Sequence, residues 1–201
     1  MVVKKEDLRI VKTKRAIKEA LFKLIKEKGF ERMTVQHIAD EAMINRNTFY
    51  THYLDKYDLM EKITDDYLKR FEESLENPST SEIMTTSDFK LTLKRVFSNI
   101  EEDMTFYQLQ LHENSQVQLQ IKLKTILKNH ILKNIHQGDL LIAIGKKEEV
   151  ALEYMISGIL GVIWFWIENS KECTVDETIE LLYELHYNNL TNLLVHFETT
   201  K

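Results

Sequence analysis

Residues 34–59, TVQHIADEAMINRNTFYTHYLDKYDL, decide how this chain folds. Thr34 is a good helix N-cap, and Val35, Ile38, Ala39 and Ala42 follow at i, i+3, i+4 and i+7, the apolar face of a short helix. Met43, Ile44 and Asn45 interrupt that pattern. Asn45 is itself an N-cap and opens a second short helix, expected over Arg46–Tyr53. At about 100° per residue, Phe49 and Tyr53 share the inner face of that helix, where they can pack on Ile38 and Ala39. Asn47 and Thr51 then point outward, with Arg46 near the tip and Tyr50 to one side. No carboxylate occurs from Asn45 to Leu54, so nothing on this face repels phosphate. Two short helices, the second offering a compact polar face, are the parts of a helix-turn-helix.

Upstream, Ile17, Leu21, Leu24 and Ile25 fall at helical spacing with lysines between them and predict a helix over Val11–Lys28, stopped by Gly29. Downstream, Asp55 can cap a longer helix from Lys56 to Leu75. The stretch Glu76–Ser87 carries the only proline and reads as a loop, with Ser87 or Asp88 capping a helix from Phe89 to about Met104. A short segment around Phe106–His112 and an amphipathic helix from Gln116 to about Ile135 come next. Leu140–Ile144, bracketed by glycines, reads as a helical turn or an extended strip. Lys147–Asn169 is a helix apolar nearly all round. Thr174-Val-Asp-Glu177 is a capping box that starts a last helix, expected to reach Phe197 with Leu190, Leu193 and Leu194 on one face.

With 5 Gly and 1 Pro in 201 residues, helices with short links are favoured over a sheet rich in tight turns. The expected fold is all-α: an N-terminal three-helix domain over residues 1–55, then a larger helical domain over 56–201. Cys173 is the only cysteine, which excludes an internal disulfide and an all-thiolate zinc site and points to a reducing, cytoplasmic setting. The charged opening residues do not read as a signal peptide. Tyr154–Ile167 is uncharged for 14 residues, short of the roughly 20 needed to span a bilayer, so a core helix and no membrane are expected.

Net charge is −5, yet residues 1–60 hold 13 Lys/Arg against 9 Asp/Glu and the remainder holds 14 against 23. A basic end on an acidic body suits a protein that meets phosphate at one end only. No phosphate-binding glycine loop, dinucleotide fingerprint, His-Glu-x-x-His or nucleophile elbow is present, and no histidine pairs with another at i, i+4, so an enzyme is not expected. No cofactor is expected either.

The run at 34–59 resembles the DNA-binding domain of the TetR family: Thr-Val…Ile-Ala in the second helix, Thr-Phe-Tyr in the recognition helix, and Lys-x-Asp-Leu opening the fourth. The likeness is close over residues 10–60. It departs at Met43, where many relatives carry glycine. The resemblance implies that Arg46, Asn47, Thr48 and Tyr50 lie in the major groove, and that Thr34, Tyr50, Thr51, His52 and Lys56 touch or approach phosphates. Lys12, Lys14 and Arg15 would add backbone contacts. It also implies a homodimer through the last two helices, reading a palindromic operator in double-stranded DNA, and a small-molecule effector. The sequence agrees on the dimer: Met155, Ile156, Ile159, Leu160 and the run Val162–Ile167 offer more apolar surface than one monomer needs, and Gly158 and Gly161 permit close approach.

Candidates to line an effector pocket are Phe71, Phe89, Phe97, Met104, Phe106, Tyr107, Leu111, Leu127, His130, Met155 and Trp164. An apolar or aromatic ligand is expected, with His112, His130 or Tyr107 as polar anchor. The expected function is a transcription regulator, a repressor whose operator affinity an effector changes. Two alternatives stay open: an activator or co-activator acting by protein contact, and a metal-responsive sensor.

Overall fold

A computed structural model of the chain describes residues 8–76, 86–111, 116–137 and 145–187. Among the described residues there are nine α-helices and no strand. The chain divides into two compact units between Tyr67 and Leu68, inside the fourth helix.

The first unit holds α1 (Leu8–Lys28), α2 (Val35–Glu41), α3 (Arg46–Tyr50) and the start of α4 (Lys56–Leu75). Ile17, Leu21, Leu24 and Ile25 form the buried stripe of α1. Gly29 ends it at φ +77°, a left-handed conformation that favours glycine, while its N–H still donates to Ile25 O at 2.9 Å. Thr34 caps α2: its hydroxyl accepts from the His37 N–H, and His37 Nδ1 accepts in return from the Thr34 N–H. Histidine thus fills the reciprocal place usually held by Glu or Gln. The exit of α2 is a Schellman turn, in which the Ile44 N–H donates to Ala39 O and the Met43 N–H to Asp40 O. Met43 holds the left-handed corner of that turn at φ +53°.

Asn45 caps α3 through Oδ1, which accepts from the Asn47 N–H at 2.8 Å. The helix ends at Tyr50, short of the expected Tyr53. Thr51 turns its hydroxyl back onto Thr48 O at 2.7 Å, and His52 bonds to Phe49 O, so the last turn tightens into an i−3 pattern. Asp55 opens α4 by accepting from the N–H groups of Tyr57 and Asp58, and Asp58 reaches back to the Leu54 N–H.

The second unit begins within α4 and continues through α5 (Thr86–Glu102), α6 (Met104–Leu111), α7 (Gln116–Gln137), α8 (Lys146–Asn169) and α9 (Val175–Leu182), which a π-helical turn extends over Tyr183–Tyr187. α5 starts ahead of both caps expected for it. It also breaks at Asp103, whose carbonyl accepts from the Phe106 N–H, so α6 is a helix of its own. α6, α7 and α9 all pack on α8, and α9 packs on α5. Ile156, Ile163, Trp166 and Ile167 of α8 are buried, with Trp166 edge-on to Phe97 at 4.8 Å. Each such side chain contributes about 1.5–3 kcal/mol by leaving water. The Thr174–Glu177 capping box is present as expected. The Leu140–Ile144 run, most of the Glu76–Ser87 loop and the last helix beyond Tyr187 lie outside the described residues.

α8 is long and apolar enough to cross a membrane, with a mean hydropathy of 1.8 over its most apolar window, but half of that window is buried within the protein. Its exposed residues are mixed: Val150, Tyr154 and Phe165 are 68%, 74% and 58% exposed, beside the exposed Glu149, Glu153, Ser157 and Glu168.

Candidate nucleic-acid interface

Phe49 is the pivot of α3. Its side chain is fully buried, with the Tyr53 ring at 5.6 Å and the Tyr50 ring edge-on at 5.7 Å. Ile38 and Ala39 of α2 are equally buried, and α2 packs on α3. With the inner face held this way, helical geometry sends Asn47 and Thr51 outward, and both are exposed. Arg46 and Tyr50 flank them. Arg46 donates from Nη2 at 2.9 Å and from Nε at 3.3 Å to the Tyr50 hydroxyl, and its guanidinium carbon lies 5.4 Å from the Tyr50 ring centre. Thr48 and His52 are half-buried at the edges, and Thr34 is exposed at the start of α2.

Acidic groups near this face are tied down. Glu41 accepts from Lys23 Nζ at 2.6 Å, a contact that raises the Lys23 pKa above its ordinary value. Gln36 donates to Asp40 at 2.7 Å. Asp55 and Asp58 face backbone N–H groups, and the hydrogen bonds from Lys62 and Leu54 hold the Asp58 pKa below the usual carboxylate value. Arg15 of α1 pairs with Glu19 at 3.0 Å, and Lys12 is exposed.

Lys56, which the resemblance sets near phosphates, faces the link between α1 and α2 in this structure. Its ammonium donates to three carbonyls of the α1–α2 link, Phe30 O at 3.0 Å, Glu31 O at 2.9 Å and Met33 O at 3.2 Å. It also sits about 5 Å over the rings of Phe30 and Tyr57. An ammonium has three N–H donors, and three carbonyls here accept from it. Lys56 clamps the start of α4 to the α1–α2 link. The sequence carried no signal of this, because the acceptors are backbone groups about 25 residues upstream.

In the second unit, Phe71, Phe89, Phe97, Phe106, Tyr107, Leu127, Met155 and Trp164 are buried, while Met104, Leu111 and His130 are half-buried; His112 lies outside the described residues. Burial pushes the Tyr107 phenol pKa up, helped by Asp103. Burial, then Lys133, pull the His130 pKa down, with Arg95 adding a little and Glu76 and Glu72 opposing. Trp164 Nε1 is buried without a hydrogen-bond partner among the described residues. A groove of about 410 Å³ runs along α4 and α5, but polar residues line it: Arg70, Glu73, Ser74, Lys94, Arg95, Ser98, Asn99 and Glu102. None of the expected effector residues is among them. Arg95 and Asn99 lie one turn apart on α5, but with Thr92, Lys94 and Ser98 among them the stretch reads in sequence as an ordinary solvated face. Among the described residues no cluster of three or more His, Cys, Asp or Glu is placed to hold a metal ion.

The family model for bacterial regulatory proteins of the tetR family matches residues 17–63, and the model for a transcriptional regulator C-terminal region of that family matches residues 87–188. Among curated proteins, YxbF, an HTH-type transcriptional regulator of Bacillus subtilis (strain 168), is 20% identical over 176 residues. That match takes in 84% of this chain but only 43% of the relative, so the chain spans less than half of the relative's length. Among solved structures, a TetR-family transcriptional regulator from Syntrophomonas wolfei is similar in fold, with a TM-score of 0.69 and 16% identity, covering 90% of this chain and 96% of that one. SmeT, solved as a complex with triclosan, is similar with a TM-score of 0.61 and 15% identity, covering 87% and 89%. At such identities these likenesses bear on the fold alone.

Proposed function

The chain belongs to the TetR family of bacterial transcriptional regulators, and from that premise we propose that it is a sequence-specific DNA-binding repressor whose operator affinity is set by a small molecule. The observation that carries the reading is the outward polar face of α3, held out by the fully buried Phe49. In this reading Arg46, Asn47, Thr48 and Tyr50 enter the major groove, and Thr34, Tyr50, Thr51 and His52 approach phosphates. Lys56 is left out of the phosphate set because its donors close the clamp on the α1–α2 link.

Two copies reading a palindrome complete the proposal. The exposed Val150, Tyr154 and Phe165 on α8, with Gly161 between Tyr154 and Phe165, and the exposed Leu181 and Leu185 beyond α8 are the apolar side chains that a second copy would cover. The effector would be apolar or aromatic and held in the helical body. SmeT, a protein of the same fold, holds triclosan. To move operator affinity, such a ligand must bind one state of the protein better than the other. The setting is cytoplasmic and the role is not catalytic.

The test is gel retardation of the duplex beside the protein's own gene. Wild type should retard it, the Arg46→Ala/Asn47→Ala double variant should not, and an apolar metabolite should relieve the shift. Equal retention by wild type and double variant would mean that α3 is not the reading element.

A further inference from the structure

Arg46 and Tyr50 are held as one unit on α3, and their geometry says more than that both face outward. A guanidinium has two edges able to donate a parallel pair of hydrogen bonds: the side edge, Nε with one N–H of Nη2, and the end edge, Nη1 with the other N–H of Nη2. The Tyr50 hydroxyl accepts from both Nε and Nη2, at 3.3 and 2.9 Å, and so occupies the side edge. The end edge has no partner among the described residues. Tyr50 is in turn fixed from below, its ring edge-on to the buried Phe49. The order therefore runs from a core aromatic to a surface phenol to a guanidinium with one free fork. Holding a long side chain in one direction lowers the cost of ordering it on binding.

A phosphate needs no such fixed direction, since positive charge within reach already attracts it. A guanine does. Its O6 and N7 lie in one plane on the major-groove edge, spaced to take two parallel N–H groups, which makes arginine on guanine the commonest specific contact in that groove. Arg46 is also the first residue of α3, and in helix-turn-helix docking the first residues of the recognition helix reach base edges. We propose that Arg46 reads a guanine in each half of the operator through the end edge of its guanidinium, and that Tyr50 is the positioning residue that presents that edge. This rests on the DNA-binding reading above. Tyr50 acts through Arg46 and contributes to specificity without touching the base that it helps to select.

The experiment is selection of binding sites from a random duplex library by the full chain, repeated with Arg46→Ala and Tyr50→Phe. Wild type should enrich one guanine per half-site. Replacing it with another base should weaken binding about ten- to a hundredfold, and 7-deazaguanine, which lacks only the N7 acceptor, should weaken it part of the way. Arg46→Ala should lose that preference at that position alone. Tyr50→Phe keeps the ring and removes the hydroxyl, so it should lower that guanine preference several-fold relative to the preferences at the other positions, on top of any even loss of affinity from its approach to phosphate. A Tyr50→Phe variant that loses affinity evenly and keeps the guanine preference intact would leave Tyr50 a packing or phosphate residue, and that result overturns its positioning role. An Arg46→Ala variant that keeps every base preference and loses affinity evenly, with a shallower salt dependence, would make Arg46 a phosphate contact and overturn the proposal. Failure of wild type to enrich any sequence would remove the DNA reading itself, and the proposal with it.

Discussion

α3 and α8 are opposite solutions to making a helix. α3 is five residues long, far below the length at which a helix holds itself, and it exists because local chemistry closes it at both ends. Asn45 caps one end, Thr51 turns back on the other, and Phe49 nails the middle to α2. α8 is 24 residues long and needs no such help; it owes its place to sheer apolar surface, and it carries more than its own unit covers. Where a helix is short, named side chains specify its ends and its direction. Where it is long and apolar, composition specifies that it is buried but leaves open what buries its outer face.

The sharpest way to break that contrast is to charge the outer face of α8. Tyr154→Asp with Phe165→Asp should convert a dimer to a monomer in sedimentation, because neither side chain is needed inside the unit. Operator affinity should then fall about 10²–10⁴-fold, the usual loss when a second linked site is removed. A folded dimer in the double variant would show that this face is not the interface. Phe49→Ala is the counterpart in α3. It should cost about 3–5 kcal/mol of stability in the first unit by denaturant melting, as emptied aromatic core sites do. A loss under about 1 kcal/mol would mean that caps alone hold α3.

Lys56→Met should come next. It leaves three carbonyls without their donor and should lower stability by about 1–2 kcal/mol, while the salt dependence of DNA binding stays unchanged because no phosphate contact is lost. A shallower salt dependence would restore Lys56 to the phosphate set. Met43→Gly should act the other way, raising the melting midpoint by the equivalent of about 0.5 kcal/mol. It relieves a left-handed corner that is 92% exposed and has no packing to lose. A drop in stability there would mean that the Met43 side chain is used.

The smallest effect belongs to His130. Its pKa in the fold lies below the ordinary 6.5, burial being the first cause. The unfolded chain therefore takes up the proton first as pH falls below about 6.5, and stability declines over that window down to the folded value. His130→Gln should flatten this slope, as read from melting at pH 7 and pH 5.5, and an unchanged slope would place its origin elsewhere.

The same contrast explains what was legible in the amino-acid sequence. The caps Thr34, Asn45 and Asp55 and the Thr174–Glu177 box were readable because each acts on backbone within three residues. The i, i+4 pair Phe49 and Tyr53 announced the inner face of α3 for the same reason. The early end of α3 was not readable, because it depends on a hydroxyl choosing the carbonyl three residues back over solvent. Nor was the Lys56 clamp, whose acceptors are main-chain groups remote in sequence. The break between α5 and α6 at Asp103, by contrast, falls within two residues of the expected helix end near Met104, where Glu101, Glu102 and Asp103 interrupt the apolar pattern. In the second unit the residues named from sequence are mostly buried, but burial is what any aromatic in a helical core shows, so their pattern alone did not locate a cavity.

The most direct measurement is a dimethyl sulfate footprint on a duplex that the full chain retains. If α3 enters the duplex by its polar face, guanine N7 atoms in the major groove should be protected in two patches. Their centres should lie about 10–10.5 base pairs apart, or a multiple of that. A retained duplex with every guanine N7 still open to methylation would contradict the account.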